Sequence, residues 1–266
     1  MAAAPPVVLT IAGFDPSSGA GISADLKTFA AHQCYGLACI TAITVQSTRG
    51  VRRFQPLPAK LLTETLNELA ADFEIAAVKI GMLGTANLAR AALRFLQKQQ
   101  PPHVVLDPVL RSSSGAALLE PAGIPVLRKM LALAEIITPN VREAAILAGM
   151  RVSTMEQVRI AAKRLHKIGA QSLVITGGDV EFIAAKAIDV LSIGGSAQVE
   201  EFSAPKLSSR NTHGTGCAFA SAIAANLAHG MDLRDSVSAA KDYVTEAIRT
   251  SAPLGHGRGP LNHFLK

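Results

Sequence analysis

Tryptophan is absent from the 266 residues and aromatic side chains make up only 4% of them, so the chain has no run of flat rings on which unpaired bases could stack. Positive charge is in excess, at +6, yet the longest basic run is Arg52-Arg53. No phosphate-tracking stripe results, so nucleic acid is not expected as a partner, and the diffuse field suits small anionic substrates instead. Cysteine is scarce. Cys34, Cys39 and Cys217 form neither a Cys-x-x-Cys pair nor a set with histidine at metal spacing, which excludes a disulfide framework and points to a reducing, cytoplasmic setting. Long apolar runs are missing too: Met1 to Pro6 lacks a basic leader, and Val7 to Ala12 is too short for a signal or a membrane span, so no membrane partner is expected. No repeat with a period of about 20–50 residues and no Pro/Ser-rich linker divides the chain. Residues 1–266 therefore read as a single domain, and 49% hydrophobic content is ample for its core.

Two nucleotide signatures are also lacking. There is no GxxxxGK[ST], and no GxGxxG follows the first strand, so a P-loop kinase and a dinucleotide-dependent dehydrogenase both lose ground.

What is present is alternation. Val7 to Ala12 is a short β-branched run closing on Gly13, as a buried parallel strand does. The turn formers Gly13 to Gly21 follow, and Ser23 is placed to cap a helix. Strands are expected at Leu37 to Gln46, Ile75 to Ile80, His103 to Leu106, Glu135 to Thr138 and Ser172 to Thr176, and a hairpin at Ala187 to Ile193 and Gln198 to Phe202. Helices are expected from Pro58 to Asp72, Ala86 to Gln100, Pro121 to Ala134, Thr154 to Gly169, through the apolar run ending near His229, and from Leu233 to Ser251. Strands alternating with helices predict an α/β fold with a doubly wound, mostly parallel sheet.

The segment Asn211-Thr212-His213-Gly214-Thr215-Gly216-Cys217 reads as a glycine turn feeding a helix. Its free N–H groups and the helix dipole form an anion site, suited to a phosphoryl group in transit. Cys217 at that helix start is expected to have a lowered pKa and to be able to take a proton from an attacking hydroxyl. A small buried side chain closing the turn is the alternative.

Other strand ends add candidates. Gln46 is a strand-end amide, either a ligand reader or a solvated loop residue. Met82 follows a strand and is either core filler or a wall of a site. Asp107 ends another strand. Asn140 and Glu143, three apart, suit a helix cap and a metal site equally on spacing. Gly177-Gly178 closes the strand ending at Thr176. Carboxylates, amides and an anion hole together suit phosphoryl transfer onto a small hydroxyl substrate.

Several blocks carry a resemblance: Thr10 to Gly13, Asp15-Pro16-Ser17, Gly19 to Ile22, Ala24 to Phe29, Lys79 to Leu83, Asp107-Pro108-Val109, Thr138-Pro139-Asn140 with Glu143, Asn211 to Cys217, and Gly255 to Pro260. In this order the chain resembles hydroxymethylpyrimidine/phosphomethylpyrimidine kinase over nearly its whole length. The cysteine in Gly-Thr-Gly-Cys separates this branch from related sugar kinases, which carry Asp there. The resemblance implies a ribokinase-like fold with helices on both faces of the sheet, ATP and Mg²⁺, and two successive phosphorylations of a pyrimidine alcohol in thiamine biosynthesis. By the same resemblance Gly13, Asp25, Gln46, Met82 and Val109 line the pyrimidine pocket, and Gly214, Thr215, Gly216 and Cys217 form the catalytic turn. Asn140, Thr176 and Gly178 meet ATP, Asp107 and Glu143 act around Mg²⁺, and a homodimer is implied. The chain departs from the family pattern at Ser113 and Thr176, where lysines are common, and at Ala116 and Asp179; Arg111 is a candidate to supply a missing cation. A pyridoxal-type kinase shares the fold and the Gly-Thr-Gly-Cys turn and stands as the alternative.

Overall fold

The computed structural model describes residues 4–112, 114–178, 186–194 and 199–265. Its nine strands are β1 (Val7–Phe14), β2 (Tyr35–Ser47), β3 (Gly50–Pro56), β4 (Ile75–Ile80), β5 (His103–Leu106), β6 (Ile136–Ile137), β7 (Ser172–Thr176), β8 (Lys186–Ile193) and β9 (Glu200–Pro205). They form one sheet in the order β3-β2-β1-β4-β5-β6-β7-β8-β9. The run from β2 to β7 is parallel, and β3, β8 and β9 are antiparallel additions at the edges. The order turns back at β1, so the connections wind to both sides, which is the doubly wound arrangement expected.

Eight helices cover the faces: α1 (Gly21–Ala31), α2 (Ala59–Asp72), α3 (Ala86–Gln99), α4 (Ile124–Met130), α5 (Val141–Ala148), α6 (Met155–Lys167), α7 (Thr215–Ala228) and α8 (Leu233–Arg249). The period of two along each strand sorts the core into two layers. Leu9, Ile11, Val78 and Ile80 pack with α2 to α6 on one face. Val8 and Ala77 pack with Phe29 of α1, α7 and α8 on the other. Helix α7 is buried all round from Ala218 to Leu227, and its many alanines let it lie close to the sheet. None of the described helices is long and apolar enough to cross a membrane.

Thr10 and Lys79 face the α1 and α7 side, and this alternation puts a charge into the core. Lys79 is fully buried, and its Nζ lies 2.9 and 3.0 Å from the two oxygens of Asp25 on α1, also fully buried. Thr10 Oγ1 donates to Asp25 at 2.6 Å and Ser221 Oγ of α7 at 2.8 Å. Burial alone would discharge Lys79. The neighbouring carboxylate of Asp25, with weaker help from Cys217 and Asp107, instead raises its pKa above the ordinary value.

Several local expectations need correction. Ser23 does not cap α1: Ala20 is the extended N-cap, Gly21 turns the chain at φ +56, and Ser23 Oγ donates to the Asp15 carbonyl. Strand β3 escaped the sequence reading because an exposed edge strand carries no strong apolar alternation. The expected Pro121 to Ala134 helix is a 3-10 turn over Pro121–Gly123 followed by α4, which ends at Met130 in i to i+3 turns. The strand expected over 135–138 is regular only at Ile136–Ile137, with the Glu135 and Thr138 N–H groups still donating to the Val104 and Leu106 carbonyls of β5 at 3.0 Å. The hairpin exists as β8 and β9, with Gly195 to Gln198 outside the described residues.

His263 packs the C-terminal segment onto α1 and α8. It is 7% exposed, with its Nδ1 2.9 Å from Tyr243 Oη and 3.4 Å from Thr28 Oγ1. Burial, and then the charge of Lys27, push its pKa down to about 4. The fold therefore favours the neutral ring, while the unfolded chain binds a proton near pH 6.5. This contribution to stability is complete above that pH and is lost as pH falls toward 4, on the order of 3 kcal/mol at most. His263→Gln, which keeps an acceptor for Tyr243 but cannot titrate, should flatten the fall in melting temperature between pH 6.5 and 4 relative to the parent chain.

Candidate active site

The carboxyl ends of the parallel strands collect nearly all the residues singled out above. Gly13 ends the regular pairing of β1 with β2, and a side chain there would come within 2.8 Å of Met82 Sδ. Met82, Ala42 and Leu118 form a small apolar cluster with Val109 and Phe54 packed against it. Gly13, Met82 and Val109 thus come together, and the absence of a Cβ at Gly13 keeps room beside the methionine. Gln46 lies on the same side of β2 as Ala42 and Thr44, and its amide meets His213 Nε2 at 3.0 Å. Asp25 is different. It is buried beneath the site with both oxygens engaged by Lys79, Thr10 and Ser221, so it supports the floor instead of facing the pocket.

Helix α7 starts at Thr215, after Gly214 in the left-handed region at φ +86. A Cβ at Gly214 would run into the Gly19 carbonyl, so only glycine lets the turn seat on the β1–α1 loop. Thr85, Asn140, Thr154 and Asp232 cap their helices with side chains, whereas α7 has no side-chain cap. The Thr215 N–H turns back to the Thr212 carbonyl at 3.4 Å, and the N–H groups of Gly216 and Cys217, which follow it in the first turn, suit an anion.

Cys217 sits half-buried in that first turn. The expected lowering of its pKa is reversed. Burial first, and then the charges of Asp25 and Asp107, push the thiol up to about 12 against the opposing pull of Lys79 and the Gly21 N–H. Burial is the largest of these effects and sets the direction.

Asp107 is buried at the end of β5, where burial raises its pKa to about 6, Lys79 pulls it down and Asp25 pushes it up. Three residues on, the Leu110 N–H donates to Glu143 Oε1 at 3.2 Å, so Glu143 grips the same loop. The capping box is fully formed: Asn140 Oδ1 accepts from Glu143 N at 2.9 Å and Glu143 Oε2 accepts from Asn140 N at 3.0 Å. Capping does not use up the carboxylate, whose two oxygens carry further lone pairs. No group of three or more His, Cys, Asp or Glu able to hold a metal occurs among the described residues. Two hard carboxylates suit Mg²⁺ all the same, because that ion keeps waters and takes phosphate oxygens for its remaining positions.

Asn140 bridges to Thr176 across the ends of β6 and β7, with Thr176 N donating to the Pro139 carbonyl at 3.0 Å. A Cβ at Gly178 would meet nothing within 4 Å, so the chain there is open. Asp189 Oδ1 accepts from Gly177 N at 3.1 Å and Lys241 Nζ holds Asp189 Oδ2 at 2.7 Å, fixing this corner. Arg111 does not reach into the site: its guanidinium donates to the Gly115 carbonyl of its own loop at 3.1 Å. Ser113 and Asp179 lie outside the described residues.

Lys79, Asp15, His213 and Thr138 also belong to the site, and the sequence alone gives them no role. Lys79 had a legible signal, a lone cation inside the apolar strand β4, which requires a buried partner. Asp15 takes Ser17 N at 2.8 Å, Ser17 Oγ at 2.7 Å and Ala20 N at 3.0 Å, together with His213 Nε2 at 2.8 Å. Thr138 Oγ1 is buried with no hydrogen-bond partner, at a strand end beside Asp107. Neither His213 nor Thr138 carried a spacing that could have shown this. The raised thiol gives a direct check on the site's electrostatics. Alkylation of Cys217 by iodoacetamide, followed by mass spectrometry, should still be accelerating at pH 10; a plateau near pH 8 would mean that the helix start governs after all.

The sequence model of the phosphomethylpyrimidine kinase family matches residues 15–262. The hydroxymethylpyrimidine/phosphomethylpyrimidine kinase of Aquifex aeolicus is 41% identical over 252 residues, covering 94% of this chain and 97% of that protein. A thiamine biosynthesis bifunctional protein of Geobacter sulfurreducens is 42% identical over 259 residues, and there the match covers 97% of this chain but only 52% of the longer protein. Among solved structures, Bacillus subtilis pyridoxal kinase in complex with ADP superposes with a TM-score of 0.88 at 36% identity, covering 97% of each chain. Phosphomethylpyrimidine kinase from Clostridium difficile superposes with a TM-score of 0.79 at 35% identity, covering 91% of this chain and 99% of that one. With a doubly wound sheet, an uncapped glycine turn and a family match from Asp15 to Asn262, the chain belongs to the phosphomethylpyrimidine kinase family, a family of phosphotransferases.

Proposed function

We propose that this protein transfers the γ-phosphoryl group of ATP to the hydroxymethyl of 4-amino-5-hydroxymethyl-2-methylpyrimidine, and then a second phosphoryl group to the monophosphate, in thiamine biosynthesis. The observation that carries the reading is the joining of two surfaces: an apolar cluster around Met82, Ala42, Leu118 and Val109 under Gly13, and the uncapped start of α7. The first suits a small flat ring, the second a phosphoryl group. The names of the Aquifex relative and of the family agree with it.

In this mechanism Gly13, Met82 and Val109 enclose the ring and Gln46 addresses its polar edge. Asn140, Thr176 and Gly178 border the nucleotide. Asp107 and Glu143 would hold Mg²⁺, which when bound supplies positive charge to the transferring phosphate. The N–H groups of Gly216 and Cys217 receive the oxygens of the phosphoryl group as charge spreads over them. Cys217, protonated at neutral pH, orients the attacking hydroxyl through its S–H and does not remove the proton beforehand. A loose transition state does not require early deprotonation, so the proton leaves late, to a phosphoryl oxygen. We also assign a homodimer acting in the cytoplasm, a reading supported by Ile43 and Val45, which stand exposed on the outer face of β2.

A second reading is favoured by the close superposition on pyridoxal kinase: the same pocket takes the pyridoxine hydroxymethyl as an additional substrate. Following ADP release with the pyrimidine alcohol, its monophosphate and pyridoxine in competition tests both readings, and turnover of pyridoxine alone would overturn the first.

Two variants probe the roles. Cys217→Ala should lower kcat by about tenfold, short of the 10²–10⁴ typical of a lost general base, and wild type should show no rising limb from a thiol between pH 6 and 9. Glu143→Gln should raise the Mg²⁺ concentration needed for half-maximal rate and lower the melting temperature only modestly, since Gln still completes the capping box and loses the one bond from the Leu110 N–H, which then faces its NH₂. A large drop in melting temperature with the same Mg²⁺ dependence would reduce Glu143 to a cap.

A further inference from the structure

His213 stands at the meeting point of three segments. Its Nε2 is 2.8 Å from Asp15 Oδ2 in the β1–α1 loop and 3.0 Å from the Gln46 amide at the end of β2, while its own backbone leads into the Gly214 turn. Its ring also fills the space beside Gly19, where a Cβ would collide with it. Both contacts use the same nitrogen, so the position of one proton decides what each partner does.

Asp15 settles the proton. Oδ1 already accepts from Ser17 N and Ser17 Oγ, and Oδ2 from Ala20 N at 3.0 Å and Gly19 N at 3.3 Å. Although burial works against its charge, the hydrogen bonds from His213 and Ser17 hold the Asp15 carboxyl below its ordinary range. An ionised carboxylate only accepts. The 2.8 Å contact therefore needs a hydrogen on His213 Nε2, and an Nε2 that carries hydrogen cannot accept one from the Gln46 amide. Amide nitrogen and oxygen fill nearly the same volume and exchange by a half-turn of the terminal torsion. The end of Gln46 that faces His213 must be its carbonyl oxygen Oε1.

We infer that His213 is a positioning residue for specificity: its one Nε2 hydrogen, shared in a three-centre bond between Asp15 Oδ2 and Gln46 Oε1, turns the Gln46 NH₂ outward, so that this edge of the pocket presents a donor and selects a ring nitrogen acceptor over an exocyclic amine. The inference rests on the reading of Gln46 as the group that addresses the pyrimidine edge. Alternation along β2 supports it, since Gln46 projects on the same face as Ala42, which belongs to the Met82 cluster. A carbon–hydrogen edge, or a donor amine, placed against that NH₂ would leave a buried polar group unpaired.

The test is steady-state kinetics with alcohol and ATP varied separately for wild type, His213→Phe, His213→Gln, Gln46→Leu and the Gln46→Leu/His213→Phe double variant. His213→Phe should raise KM for the pyrimidine alcohol by about tenfold and leave KM for ATP unchanged, His213→Gln should restore much of the loss, and His213→Phe should add nothing in the Gln46→Leu background. Equal effects of His213→Phe with and without Gln46, or a rise in the ATP KM instead, would overturn the inference. If Gln46→Leu alone leaves the alcohol KM unchanged, the reading of Gln46 fails and takes the inference with it, and that failure shows in the single variant. Should His213→Phe not fold, analogues decide with wild type and Gln46→Leu. Replacing the ring nitrogens by CH should weaken binding about tenfold in wild type and not in Gln46→Leu. A penalty in wild type only for removing the exocyclic amine would show Gln46 presenting its oxygen, contrary to the inference.

Discussion

The ion pair of Lys79 with Asp25 is the constraint on which the rest of the site depends. Two charges removed from water cost several kcal/mol each unless the geometry is good and the remaining lone pairs are filled. Here they are filled: Lys79 meets both oxygens, and Thr10 and Ser221 supply hydroxyls. Those four residues come from β4, α1, β1 and α7, so a single carboxylate ties together two neighbouring strands and the two helices that follow the β1–α1 loop and the Gly214 turn. Losing one partner would leave an uncompensated charge, a loss of about 3–5 kcal/mol.

The pair also sets the electrostatics above it. Lys79 lowers the pKa of Cys217 and of Asp107, Asp25 raises both, and burial raises both further. The outcome is a protonated thiol at the turn and a carboxylate that gains from a nearby cation. A site short of positive charge in this way fits a nucleotide that arrives with Mg²⁺, because the metal relieves the crowding of carboxylates and phosphates at once. The loop after Asp107 is held by the Leu110 N–H donating to the Glu143 carboxylate, and the ends of β6 and β7 by the Thr176 N–H donating to the Pro139 carbonyl.

Much of this was legible in the sequence. The parallel strands announced themselves as apolar runs because both their faces are covered, and the strand-end residues Gly13, Met82, Asp107 and Thr176 fell where an open α/β sheet collects its ligands. The turn at Gly214 was readable because only glycine accepts its backbone angle against the Gly19 carbonyl. What was not legible depends on three-dimensional partners. Asp25 belongs to a family pocket motif, yet its carboxylate faces Lys79, which is 54 residues away. The direction of the Cys217 shift follows first from burial, and then from two carboxylates, neither of which exists around the thiol until the chain folds. His213 looked like part of a loop motif, and its double contact with Asp15 and Gln46 spans 198 and 167 residues. Strand β3 was missed for a simpler reason, since an exposed edge has no buried face to print a pattern.

The claim at the centre is that the buried pair serves the site and not only the fold, and a neutralised pair separates the two. Lys79→Met should melt well below the parent chain, and Lys79→Met combined with Asp25→Asn should recover most of that stability, since no unpaired charge remains: Asn accepts from one of the Thr10 and Ser221 hydroxyls, which bind different oxygens of Asp25, and the other hydroxyl turns to accept from its NH₂. The measurement is kcat of this stabilised double variant with saturating pyrimidine alcohol and ATP. The account predicts a loss of about hundredfold, the scale of removing a preorganised charge from a transfer site. A kcat within about threefold of the parent would contradict it and leave Lys79 and Asp25 as scaffold alone.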